Sequence, residues 1–120
     1  MWTYTSYILS KYFEKIAAKS DELKFSELCD FIFNTLWRRE GVVFHDGVKD
    51  LYLDLEYLQK IGILEIQKNE NLDKVKIKVK DPEKLRDVAK IVESSSDVMK
   101  LDILREYVAR INKAIEYVVI

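Results

Sequence analysis

Apolar residues recur at spacings of three and four along the opening stretch YTSYILSKYFEKIAAK, where Ile8, Leu9, Tyr12, Phe13 and Ile16 share one side of a helical cylinder. The spacing predicts a helix that stops near Ser20 and Asp21. A second helix is predicted from about Ser26, whose hydroxyl can cap the free amides, with Glu27 at the positive end of the dipole. Its inward stripe is Leu28, Phe31, Ile32 and Leu36. WRREGVVFHDG holds two of the three glycines and reads as an irregular connection with a short extended piece at Val42 to Phe44. VKDLYLDLEYLQKIG then repeats Val48, Leu51, Leu55 and Leu58 on one face and closes at Gly62, a helix-stopping residue able to take positive φ.

After Gly62 the period falls to two. ILEIQK and DKVKIKVK are β-prone runs separated by Asn69, Glu70, Asn71 and Leu72, a polar tip of hairpin length. The second run sets lysines at alternate positions, with Val75, Ile77 and Val79 between them. Pro82 ends it and suits the first turn of another helix with Leu85, Val88, Ala89 and Val92 inward. ESSSD is read as an interruption, with Ser96 or Asp97 capping a final helix through Tyr117. In that helix Leu101, Leu104, Val108, Ile111, Ile115 and Val118 form a heptad seam, and Ile103, Tyr107, Ala114 and Tyr117 form a second apolar stripe. Two apolar sides imply two partners: one side is expected on its own domain or the N-terminal helix, the other on the same helix of a second subunit. The alternative is that one chain buries both.

A chain of 120 residues with 48% hydrophobic residues can bury a core without disulfides or metal. Cys29, the single cysteine, cannot make an internal disulfide and reads as a core residue in a reducing cytosol. With a net charge of −1, no global field draws the protein to nucleic acid or an anionic membrane, so such binding must come from local patches. No run is long enough to span a bilayer and no basic-then-apolar leader is seen, so the expectation is a soluble cytoplasmic protein without membrane partners. The Lys and Glu or Asp richness, with few Gly and Pro, is thermophile-like. No HExxH, CxxC, phosphate-cradling glycine loop or Ser-His-Asp arrangement is present, and one His with one Cys makes no metal cluster. Neither an enzyme nor a metal or other cofactor is expected.

The order helix, helix, connection, helix, hairpin resembles a winged-helix (winged helix-turn-helix) domain. The piece that carries the likeness is LEYLQKIGILEI, in which Leu55, Leu58, Ile61, Gly62, Ile63 and Leu64 match a third helix that turns at glycine into the wing. The resemblance covers roughly residues 5–80 and implies an α+β, mainly helical fold with a two-stranded β wing and additional C-terminal helices. Residues 1–80 would be the winged-helix domain and 81–120 a helical extension for dimerisation. It further implies a small archaeal-type transcriptional regulator that binds double-stranded DNA as a homodimer.

The resemblance puts Lys49, Asp50, Tyr52, Leu53, Glu56 and Tyr57 on the outward surface of the third helix. It puts Lys68, Asn69, Asn71 and Lys74 around the wing tip. From Asp46 to Gln59 the charge is one lysine against Asp46, Asp50, Asp54 and Glu56, a net of −3. Acidic groups are repelled by phosphate, so this helix departs from a conventional reader. From Lys60 to Lys80 six lysines meet three acids, a net of +3. Lys68, Lys74 and Lys76 could therefore anchor phosphate without reading sequence, or could be the wet side of an edge strand kept from pairing. Arg38 and Arg39 read equally as phosphate contacts or as cations satisfying a helix end. His45 joins the expected DNA-contacting set and is read as a surface turn residue. Tyr52, Leu53 and Tyr57 leave open a protein-interaction module without DNA binding.

Overall fold

α1 (Trp2–Ile16) carries the predicted stripe but is covered on more than one side: Thr5, Ser6, Tyr7 and Ser10 are buried along with Ile8, Leu9 and Tyr12. The structure is a computed structural model that describes residues 2–17, 19–99 and 102–118, with side chains described for these except 96–99 and 102. Its architecture is α+β and mainly helical. A short strand that the spacing did not predict, β1 (Glu22–Lys24), follows α1. α2 (Phe25–Asp30) starts there, with Lys24 at its N-cap and no side-chain cap, so Ser26 does not cap it. The helix continues as a π-helical segment, Phe31–Arg39, whose wider turn puts Phe31 and Leu36, five apart, on the same buried side. Gly41, with φ +73°, ends it, and 42–47 is irregular, without the extended piece expected there, although Val42 and Phe44 are buried.

α3 (Val48–Lys60) buries Leu51, Leu55 and Leu58 completely, whereas Val48, in its first turn, is 46% exposed and leaves the predicted stripe. Gly62 at φ +83° turns the chain into β2 (Leu64–Gln67), which pairs antiparallel with β3 (Lys76–Val79). β1 pairs with the other side of β3, giving a three-stranded sheet in the order β1-β3-β2. The lysine-bearing strand is thus central, correcting both the two-stranded wing and the edge-strand reading. Leu23, Ile77 and Ile66 lie side by side on the inner face, and all three are buried. The free edges are partly closed by side chains: Ser20 Oγ accepts from Glu22 N and donates to Glu22 O, and Gln59 Oε1 accepts from Ile66 N.

α4 (Pro82–Met99) starts as expected, with Pro82 in the first position and Asp81 Oδ1 accepting from Lys84 N. It runs through ESSSD without a break. Serine lowers helix propensity only modestly, Leu85, Ala89 and Val92 are buried, and Glu93 is held by the Tyr7 hydroxyl and Lys11. α5 (Asp102–Glu116) therefore begins later than Ser96 or Asp97. It packs on α1, α4 and the π-helical segment of its own chain. Ile111 and Ala114 are fully buried there, Tyr107 meets Tyr4 and Phe44, and Asn112 donates to the Tyr7 hydroxyl. Arg110 donates to the Glu40 carbonyl. Of the expected intersubunit seam, Ile111 is thus buried within the chain. Val108, Ile115 and Val118 pack partly against the core, Leu104 is half-buried, and Leu101 lies outside the described residues. Residues of α4 and α5 share one core cluster with α1 to β3. No helix among the described residues is long and apolar enough to cross a membrane.

Nothing lies within 4 Å of where a Cβ would stand on Gly62, so an alanine there suffers from backbone conformation alone. Gly62→Ala is expected to lower stability by about 1–2 kcal/mol in urea unfolding, the usual magnitude for a left-handed residue with a Cβ. An unchanged midpoint would contradict the role given to this turn.

Candidate nucleic-acid interface

Direct pairing fixes which side chains share the outer face of the sheet. Lys24, Lys76 and Gln67 form one row, and Glu22, Lys78 and Glu65 form the next. In the second row one lysine sits between two carboxylates, a net of −1. In the first row two lysines stand side by side, with only a loose diagonal contact from Lys76 Nζ to Glu22 Oε2 at 3.7 Å, about half-exposed and of little energetic weight. Beyond that row the chain forms the tip, where Asn69 Oδ1 accepts from Asn71 N and Asn71 Oδ1 accepts from Asp73 N. These Asx turns lead into a single 3₁₀ turn, Leu72–Lys74. Lys24, Gln67, Lys68, Asn69, Asp73, Lys74 and Lys76 line an open groove of about 420 Å³. Four lysines and one aspartate thus line the same groove, a local excess of positive charge.

The other expected contacts are dispersed. Lys49 is exposed on α3, while Tyr52 is half-buried with its ring edge-on to Phe25. Arg38 is exposed at the end of the π-helical segment. Arg39 places its guanidinium 3.6 Å from the centre of the Tyr117 ring, a cation–π contact that ties α5 to that segment. Lys24 was missed because β1 is three residues long, too short for its alternation to register beside a turn. A larger groove of about 800 Å³ runs from the end of α1 past β1 to Tyr117 and Val118, but its lining mixes Lys19, Lys24 and Lys76 with Glu22, Glu27 and Asp30 and favours neither sign of ligand. Cys29 is half-buried, and burial pushes its thiol up, away from reactivity.

His45 is not a surface residue. It is 1% exposed, and its Nε2 lies 2.8 Å from Thr5 Oγ1 and 3.0 Å from Asp54 Oδ2, while Thr5 also donates to Asp54 Oδ2 at 2.7 Å. The carboxylate can only accept, so the imidazole proton belongs on Nε2. Nδ1 is buried and has no hydrogen-bond partner among the described residues. The trio ties α1, the connection and α3 together, and His45 is inaccessible to DNA. Burial holds its pKa below the ordinary 6.5, outweighing the opposite pull of Asp54 and Asp50, so the ring is neutral.

Comparison of the chain with known protein families, curated proteins and solved structures finds no match.

The folded pKa of His45 lies below its unfolded value, so between the two only the unfolded chain binds the extra proton. Stability is accordingly expected to be fully present above pH 6.5 and to fall as the pH drops from there through the folded value. Urea midpoints measured from pH 7.5 down to 5 should show this slope, and His45→Gln should flatten it. An equal slope in the variant would assign the dependence to other groups.

Proposed function

We propose that the chain is a winged-helix DNA-binding module of a transcriptional regulator, and that it grips duplex phosphate chiefly through the wing. The fold part of this reading is supported by the element order, in which α3 hands over at Gly62 directly to the β2–β3 hairpin. The binding part is carried by one observation, the gathering of Lys24, Lys68, Lys74 and Lys76 around a single groove at the tip end of the hairpin. Ammonium groups there release counterions when they meet phosphate and need no base readout. The outward surface of α3 contributes little, since Glu56 beside Lys49 leaves it without a positive field. A protein-interaction module without DNA binding is the second reading, favoured by the exposure of Leu53 at 55% and Tyr57 at 42%.

Fluorescence anisotropy with a labelled duplex tests the first reading. The logarithm of affinity is expected to fall against the logarithm of salt with a slope of about −3 to −4 per chain, as four neutralised phosphates require. Lys68→Ala with Lys74→Ala should reduce that slope by about 2 and weaken binding to all sequences alike. A folded protein that fails to bind duplex at low salt would turn the assignment to the interaction module.

A further inference from the structure

Of the sequence-predicted dimer seam Ile111 is buried in the chain's own core, and another face of the molecule is open. Opposite the buried leucines, α3 presents Lys49, Leu53, Glu56 and Lys60, all exposed. This strip is bordered on one side by Tyr52 against Phe25 and on the other by Tyr57, whose ring lies 5.2 Å from that of Trp2. Leu53 and Tyr57 are 55% and 42% exposed, two large apolar side chains four residues apart on the same side of the helix. Scattered single exposures need no explanation, whereas neighbours on one helix face do.

We propose that α3 pairs antiparallel with α3 of a second copy of this chain. A two-fold interface sets residue i against j and j against i. With the axis passing between Tyr52 and Leu53, those two residues gather with their copies around the axis, and Lys49 falls opposite Glu56 on each side of it. Apolar groups thus meet around the axis and Lys49 meets Glu56, while Lys60 lies beyond the paired stretch. Parallel pairing in register would instead oppose Lys49 to Lys49 and Glu56 to Glu56, so the charges select the orientation as well as the partner. Asp54, turned to Thr5 and His45, and Asp50, which accepts from Asp46 N, do not interrupt this pattern. A different protein would have to reproduce the same alternation, and the chain already carries it. The pairing rests on the surface of α3 alone and is independent of the phosphate grip.

Sedimentation equilibrium without nucleic acid, over about 1–200 µM protein, reads the association directly. The mean mass should rise from 14.2 kDa towards twice that value. Lys49→Glu and Glu56→Lys should each weaken association about tenfold or more by opposing like charges, and the double variant should restore it to within about threefold. Leu53→Asp should abolish it. All three positions are exposed, so circular dichroism should show the fold unchanged. A mass that stays at the monomer value, a dimer indifferent to the single reversals, or a double reversal that restores nothing would each overturn the pairing. So would a dimer that Leu104→Asp dissociates while the α3 variants leave it intact.

Discussion

The pairing of β3 on both its sides constrains the rest of the molecule. Ile77 is fully buried between Leu23 and Ile66, and side chains alternate along a strand, so Lys76 and Lys78 must face outward whatever else the chain does. A slip of one residue would put lysines into the core and isoleucine into water, so register is strongly specified. The basic groove is therefore a by-product of apolar pairing. Hydrophobic burial on one face decides where Lys24 and Lys76 lie on the other, and the tip adds Lys68 and Lys74 beside them.

α3 is fixed to this sheet from the side and the end. Its leucines are each of the kind worth roughly 1.5–3 kcal/mol when buried, Gly62 turns the chain, and Gln59 reaches back to the Ile66 amide. Asp54 adds a polar tie to α1 and the connection through Thr5 and His45. A buried imidazole whose Nε2 is held between Thr5 and Asp54 tolerates little rearrangement, because a shift would leave those polar atoms unsatisfied. The direction in which α3 presents Lys49, Leu53 and Glu56 is thereby set by contacts on its opposite side.

Period was legible in the sequence and partnership was not. The stripes of the first three helices, the glycine handover and the hairpin follow from spacing, because 3.6 and 2.0 residue repeats are properties of a single segment. Which segment covers which is a property of the whole chain. Glu22 to Lys24 becomes a strand only because β3 offers it an edge, and His45 is buried only because Thr5 and Asp54 converge on it. The stripes of α5 are a true helical pattern, yet which of its residues meet α1, α4 and the π-helical segment is set by those elements and not by its own spacing. The serines after Glu93 stay helical for the same reason: the anchoring partner, Tyr7, is 86 residues away in the chain. Of the basic groove, Lys68, Lys74 and Lys76 were readable from composition around the hairpin, and Lys24 required the third strand.

The two proposed surfaces bear on one another through valency. Four ammonium groups make a weak grip: with a slope of about −0.9 per phosphate, affinity falls roughly a hundredfold between 50 and 200 mM salt. A second grip in the same particle converts the next contact into an intramolecular one, raising overall affinity without any new contact chemistry. Antiparallel pairing of α3 would give the two wings a defined separation. Each wing leaves the C-terminal end of its α3 through Gly62, and those ends lie at opposite ends of the pair. Thirteen residues at 1.5 Å per residue place them at least about 20 Å apart along the pair's axis. An acidic and apolar third helix, awkward as a reader of bases, is then well suited to spacing two readers of phosphate.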